Sequence, residues 1–143
     1  MKAVAVELNE FRDALQRSAT RYEVELTATD IARLSDYYQL LSEWNPRAHL
    51  VAPCTPHEFA TRHVLESLLL LPHLSHNACI ADVGSGAGLP IIPVLIVRSD
   101  VHATLIESSK RNSVFLRDRL ILGISHDGAH VSFCQKSLDT VIG

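Results

Sequence analysis

The segment from Ile80 to Pro93, IADVGSGAGLPIIP, constrains the fold of this chain more than any other part of the sequence. A short apolar run, ACIADV, leads into three glycines spaced G-x-G-x-G, and a second apolar segment, GLPIIPVLIVR, follows. A buried strand that passes through a glycine-rich turn into a helix is typical of open α/β sheets, which bind ligands at that turn. The segment therefore predicts a parallel sheet whose first strand ends in a ligand-binding turn.

Before residue 78 the spacing of apolar residues is helical. VAVELNEFRDALQRSAT predicts one amphipathic helix. A second helix begins in LTATD, whose two threonines offer N-cap oxygens, and we expect it to stop at Pro46, since proline disfavours helical geometry in the preceding residue. A third begins at TPHE, where Thr55 and Glu58 form a capping box with proline at the first helical position. Residues 1–77 are thus predicted to form a helical cap that buries one edge of the sheet.

From residue 78 onward short strand candidates alternate with helix candidates. ACIADV, HATLIE and AHVSFC have the character of strands, and SKRNSVFLRDRLILG has the character of a second crossover helix. Such alternation implies a parallel sheet with right-handed crossovers. We therefore predict an α/β part with a parallel sheet over residues 78–143.

Composition and charge exclude several classes of protein. The 143 residues are 47% hydrophobic and 20% charged, without an apolar run long enough to cross a membrane or an opening signal segment, so we expect a cytoplasmic protein. A net charge of -3 gives no global basic field, so any RNA contact needs a local patch. We expect Cys54, Cys79 and Cys134 to be buried or semi-buried thiols. Two pairs of closely spaced histidines lack a third ligand, so no metal site is expected.

The glycine turn and its flanking acids favour a positively charged ligand. Gly84, Gly86 and Gly88 depart from the G-x-G-x-x-G spacing of dinucleotide sites, and no lysine followed by serine or threonine stands directly after them as it does in a P-loop. Asp82 precedes the turn, and Glu107, about 20 residues further on, could accept hydrogen bonds from two ribose hydroxyls. An acid before the glycines suits the sulfonium and ammonium of S-adenosylmethionine better than a pyrophosphate. The alternatives are a turn-capping carboxylate at Asp82 and a solvated strand end at Glu107.

Four segments together resemble a known family. SEWNPRAHLVA, TRHVLESLLLLPHL, IADVGSGAGLPIIPVLIVR and ATLIESSKRNSVFLRDRLILG follow, in order and spacing, the 16S ribosomal RNA methyltransferase family called RsmG or GidB, over roughly residues 30 to 139. The R-H-x-x-E-S-L segment is more specific than the glycine turn. The resemblance implies a class I S-adenosylmethionine-dependent methyltransferase that modifies N7 of a guanine in 16S rRNA of the small ribosomal subunit.

The resemblance also assigns cofactor contacts by position. It implies contacts at Gly84 and Leu89 in the turn, an acidic contact from Glu107, and adenine-side contacts from Leu138 and Asp139. It implies no catalytic side chain, because guanine N7 carries a free lone pair and methyl transfer from a sulfonium needs no general base.

RNA would have to meet local positive charge, since the chain as a whole is acidic. The second crossover helix begins with Lys110 and Arg111, and Arg62 lies in the R-H-x-x-E-S-L segment. These are the candidate RNA contacts. Further basic residues on or near that helix are Arg47, Arg117 and Arg119. The alternative interpretation is a solvated helix face.

The chain departs from the family pattern in three respects. His49 and Val51 stand where the family has an amide and a hydroxyl, and Ile91 stands where it has a glycine at the helix start. Family members also continue past the third strand, so the resemblance predicts a member truncated there, with a partial Rossmann-like domain over residues 78–143 and the strand order 3-2-1. The first strand would then have an unpaired edge, which invites self-association unless another chain or the N-terminal helices cover it. Alternatives are a non-catalytic remnant that binds the cofactor or a partner, and a methyltransferase for a small molecule.

Overall fold

The computed structural model describes residues 2–121 and 130–135. Its N-terminal part is helical, as predicted. Helix α1 is Lys2–Ser18, a 3-10 turn follows at Ala19–Tyr22, and helix α2 is Ala28–Ala48. Thr27 caps α2 through a capping box: its hydroxyl accepts a hydrogen bond from the Asp30 N–H at 3.1 Å, and the Asp30 carboxylate accepts one from the Thr27 N–H at 2.9 Å.

Helix α2 continues through Pro46, so the prediction that it stops there is wrong. The proline removes one hydrogen bond to the carbonyl four residues earlier. It lies in the last turn of the helix, however, and Leu41 before it and Ala48 after it are both buried and hold the helix in place. The helix ends instead at His49, whose backbone is left-handed at φ 48° and whose N–H donates to the Asn45 carbonyl at 2.9 Å.

The third helix begins where the sequence predicts but is not regular along its length. The Thr55 hydroxyl accepts from the Glu58 N–H at 3.1 Å, and the Glu58 carboxylate accepts from the Thr55 N–H at 2.9 Å, which confirms the capping box. We number as α3 the continuous run that is α-helical, then π-helical, then α-helical again. Its parts are Pro56–Glu58, Phe59–Leu65 and Glu66–Leu68, and a 3-10 turn follows at Leu71–His73.

The second part is a three-stranded parallel sheet, as predicted. Its elements are β1 Cys79–Val83, α4 Ile91–Val97, β2 His102–Ile106, α5 Lys110–Phe115, a π-helical segment Leu116–Ile121 that continues α5, and β3 His130–Cys134. Strands β1, β2 and β3 lie side by side in that order, with Cys79 opposite His102 and His102 opposite His130. Helices α4 and α5 are the crossovers.

One continuous apolar core joins the N-terminal helices to the sheet. In the helical part, the rings of Phe11 and Tyr38 stack with centroids 4.4 Å apart, and Phe59 lies against both. Toward the sheet, Ile92 of α4 and Leu105 of β2 are fully buried in the same cluster. A domain boundary at residue 78 stays a prediction.

The expectation of buried cysteines is wrong for two of the three. Cys54, in the loop before α3, and Cys79, at the start of β1, are exposed, and Cys134 is partly buried. The loop and the strand edge leave these thiols open to solvent. Within residues 2–121 and 130–135 no cluster of three or more histidine, cysteine or acidic residues is placed to hold a metal, and none of the helices is long and apolar enough to cross a membrane.

Candidate cofactor-binding site

The glycine turn leaves the carboxyl end of β1 and is tied to the end of β2. The Gly84 N–H donates to the Ile106 carbonyl at 2.8 Å, and the Gly88 N–H donates back across the turn to the Ser85 carbonyl at 2.6 Å. Gly84, Gly86 and Gly88 all have positive φ. Three left-handed residues alternating with ordinary ones fold the backbone into a tight concave turn, which is the geometry that open α/β sheets use around a ligand.

Gly88 also sets how closely the turn approaches α4. Its φ is +87°, and a Cβ built there would overlap the Cγ1 of Ile92 and lie 3.3 Å from the Cβ of the same residue. The Ile92 N–H in turn donates to the Gly88 carbonyl at 2.7 Å. The third glycine is therefore required by helix packing as well as by backbone conformation.

Glu107 is buried and bridges two turns. Glu107 comes directly after β2 in the chain and is 5% exposed. One carboxylate oxygen, Oε2, accepts the Gly86 N–H at 2.7 Å, and the other, Oε1, accepts the Ser109 N–H at 2.8 Å. The alternative of a solvated strand end is wrong, because this carboxylate holds the glycine turn against the start of α5. Each oxygen keeps a further lone pair that can accept a bond from a ligand hydroxyl.

Asp82 carries an unsatisfied buried acceptor at the same place. Among the described residues its Oδ2 is the buried side-chain atom without a hydrogen-bond partner. Burial raises the pKa of Asp82, the negative charge of Glu107 raises it further, and the Ser85 hydroxyl lowers it. A buried acceptor left unpaired costs about 1–3 kcal/mol. Such an atom beside a concave glycine turn fits a ligand that brings a donor or a positive charge.

The structure brings some of the predicted residues together and leaves others apart. Asp82, the glycine turn and Glu107 lie together at the carboxyl ends of β1 and β2. Leu89 follows Gly88 as a half-buried residue joined to Pro90 by a cis peptide. The proposed adenine-side residues lie outside the described residues. They are Leu138 and Asp139.

The candidate RNA contacts are on two different helices. Lys110 and Arg111 are exposed in the first turn of α5, which Ser109 caps through a bond from the Asn112 N–H at 3.4 Å. They therefore begin three residues beyond Glu107, at the edge of the site. Arg62 is exposed on α3, where its guanidinium lies 3.8 Å from the Glu58 carboxylate.

One residue that contacts the turn was not predicted. The hydroxyl of Tyr37, on α2, donates to the carbonyl of Ala87 at 2.8 Å, and both residues are buried. A buried tyrosine needs a partner for its hydroxyl, and Tyr37 lies within the predicted second helix. The partner lies 50 residues away, so no local pattern could have identified it.

The fold and the site define an α/β protein of the class I methyltransferase type, with a glycine turn flanked by two acids. The chain belongs to the family of rRNA small subunit methyltransferase G, GidB, whose family model matches residues 30–139. The resemblance stated from the sequence is thereby confirmed.

Individual relatives carry the same name. The Ribosomal RNA small subunit methyltransferase G of Nitrosomonas europaea is 44% identical over 117 residues, which cover 78% of this chain and 54% of the relative. Those of Nitrosospira multiformis and Nitrosomonas eutropha are 40% and 38% identical, and the matches cover 72% and 66% of this chain and 48% and 45% of the relatives. The chain spans about half the length of the curated relatives it matches.

Proposed function

We propose that this chain binds S-adenosylmethionine at the glycine turn and serves methylation of N7 of a guanine in 16S rRNA. The observation that carries the proposal is the buried, unpartnered Oδ2 of Asp82 beside a turn that Glu107 holds in place. Family membership supports the methyltransferase class and an rRNA substrate. A cytoplasmic setting follows from such a substrate.

Charge favours this cofactor over a dinucleotide. Two carboxylates face the turn, so a pyrophosphate there would meet like charge, whereas a sulfonium and an ammonium would be attracted. Asp82 would accept the ammonium and Glu107 would accept the ribose hydroxyls on its free lone pairs. Gly84 and Leu89 would contact the cofactor through the turn, and Leu138 and Asp139 would contact the adenine, as their positions in the family imply.

The proposed reaction needs no side chain that acts as an acid, a base or a nucleophile. The cofactor supplies an activated methyl group, and guanine N7 has a lone pair that needs no deprotonation. The protein would contribute alignment of the two reactants. Lys110 and Arg111 stand at the edge of the site where an RNA phosphate could bind, and Arg62 would add a contact from α3.

Binding is tested by calorimetric titration of the chain with S-adenosylmethionine. We expect binding by the wild type and at least tenfold weaker binding by Asp82→Asn, which keeps the shape but removes the charge. Asp36→Asn is the matched control, because it removes an exposed carboxylate from α2. Equal affinities for all three proteins would overturn the role of Asp82, and no binding at millimolar cofactor would overturn the site.

Activity is tested by transfer of a tritiated methyl group to small ribosomal subunits that lack the N7 modification. Transfer to 16S rRNA would support the whole proposal. Binding without transfer would support the alternative that this chain is a non-catalytic cofactor-binding unit. Transfer to free small molecules but not to rRNA would contradict the proposed substrate.

A further inference from the structure

A single buried hydrogen bond connects the helical part of the molecule to the glycine turn. The Tyr37 residue is 3% exposed and its hydroxyl donates to the Ala87 carbonyl at 2.8 Å. Ala87 is 6% exposed and lies between two glycines of positive φ. Breaking the bond would leave a buried hydroxyl and a buried carbonyl unpaired, so the bond constrains the turn.

The bond acts on one peptide unit that is held from both sides. The carbonyl of Ala87 and the N–H of Gly88 belong to the same peptide plane. The carbonyl accepts from Tyr37, and the N–H donates to the Ser85 carbonyl at 2.6 Å. With both polar groups satisfied, the plane cannot rotate without breaking a buried bond.

The tyrosine itself is held rigidly. Its ring lies 6.1 Å from the ring of Phe59 on α3, which contacts Tyr38 and Phe11 in turn. Burial raises the pKa of Tyr37, so the phenol stays protonated and remains a donor across the physiological range. The aromatic cluster thus fixes the position of the donor, and the donor fixes the turn.

We propose that Tyr37 is a positioning residue for the proposed cofactor site, holding the Ala87–Gly88 peptide in the orientation that the cofactor meets. Glu107 does the same for the Ser85–Gly86 peptide through its bond to the Gly86 N–H. Between them the two side chains orient alternate peptides of the turn before any ligand arrives, which removes an ordering cost from binding. The cofactor part of this inference rests on the proposed function.

The test compares Tyr37→Phe with Tyr38→Phe. Both variants remove one hydroxyl from neighbouring positions of α2, and both residues are buried in the same aromatic cluster, but only Tyr37 bonds to the turn. In the cofactor-free protein, amide hydrogen exchange should become about tenfold faster at Gly88 in Tyr37→Phe. The exchange rate at Gly88 should be unchanged in Tyr38→Phe. The exchange rate at Arg98, whose amide lies at the far end of α4, should be unchanged in both variants.

Titration with S-adenosylmethionine then measures the consequence for binding. We expect about tenfold weaker affinity for Tyr37→Phe and wild-type affinity for Tyr38→Phe. Equal weakening by the two variants, or no weakening by either, would overturn the inference. If the wild type fails to bind, the proposed function and the cofactor part of the inference both fail, while the exchange comparison still decides whether Tyr37 holds the turn.

A second measurement covers the case in which Tyr37→Phe does not fold. The wild-type chain is labelled with 3-fluorotyrosine, and its fluorine signals are observed by NMR during cofactor titration. We expect the signal of Tyr37 to shift with binding and that of Tyr38 to stay in place. A bound protein whose Tyr37 signal does not move would contradict the inference.

Discussion

At the scale of single residues, the candidate site combines groups that cost stability with groups that fix geometry. Asp82 is a half-buried acid whose Oδ2 is buried and unsatisfied, and Gly88 is a left-handed residue in contact with Ile92. Such costs concentrate at functional sites, where the surrounding structure holds them in place. The stability cost of each residue can be measured with a substitution that removes or increases that cost.

The packing role of Gly88 predicts a large effect of Gly88→Ala. The alanine must adopt a positive φ and its Cβ must displace Ile92. We therefore expect a loss of about 2–4 kcal/mol in the free energy of unfolding. Gly84→Ala is the control, because its φ is also positive but nothing lies within 4 Å of the new Cβ. It should lose only about 1–2 kcal/mol. Urea unfolding of both variants measures the difference, and equal losses would contradict a packing role.

The raised pKa of Asp82 predicts a pH-dependent stability difference between Asp82→Asn and the wild type. Below the ordinary value of 3.8 the acid is protonated in both folded and unfolded states and costs nothing. As pH rises through the higher pKa of the folded state, the unfolded chain gives up its proton more readily, so the stability of the wild type falls. The variant has no such group.

We therefore expect the stability of Asp82→Asn relative to the wild type to increase between pH 4 and pH 7. Urea midpoints at intervals of pH measure it, and the other titrating groups cancel because both proteins share them. A difference that stays constant over this range would mean that burial does not disfavour the ionised acid.

At the scale of elements, the end of α2 explains a departure from the family pattern. The family has an amide where this chain has His49, and the structure puts that residue in the left-handed region at φ 48°. Asparagine is favoured at a left-handed helix end, because its short polar side chain can hydrogen-bond the local backbone. The left-handed backbone at this position therefore explains why the family has an amide there, which the sequence alone did not reveal.

This reason predicts that His49→Asn stabilises the protein. The gain should be about 1 kcal/mol, since the new residue tolerates the helix-ending conformation better. His57→Asn is the control, because His57 is exposed in the first turn of α3, where the backbone is helical. Thermal unfolding of the two variants measures the effect, and a loss of stability in His49→Asn would show that the imidazole itself is needed.

At the scale of the whole molecule, the part of the chain that the structure describes leaves the outer edge of β1 unpaired. Within the described residues β1 pairs only with β2. Ala78 and Gly84 bond to β2 at the two ends of the strand, and by the alternation of a parallel ladder the backbone groups of Cys79, Ala81 and Val83 face away from it. None of these residues is charged and all are exposed, so the edge lacks the usual protection against pairing.

We therefore expect this chain to self-associate through β1 at high concentration, with a second copy supplying the same strand. Ala81→Pro should reduce association, because it removes an outward N–H without touching the pairing with β2. Val114→Lys is the control, since it removes an exposed apolar side chain on α5 and leaves the edge intact. Sedimentation velocity over a concentration series measures the effect, and a monomer at all concentrations would contradict it.

The sequence predicted those parts of the fold that depend on neighbouring residues. The N-cap threonine in LTATD, the capping box at Thr55 and the order of strands and crossover helices were correct. The stop at Pro46 was wrong, because packing on both sides of the last turn outweighs the local preference of proline. The glycine turn and the family could both be identified from contiguous segments of the sequence.

What only the tertiary structure decided is how buried the site is and what holds it. The sequence placed Asp82 and Glu107 beside the glycines. It did not show that the Oδ2 of Asp82 is buried, or that Glu107 bonds to Gly86 and Ser109. It gave no sign that Tyr37 reaches the turn. Turns, caps and strands are set by interactions over a few residues, whereas burial and long-range hydrogen bonds exist only once the chain has folded back on itself.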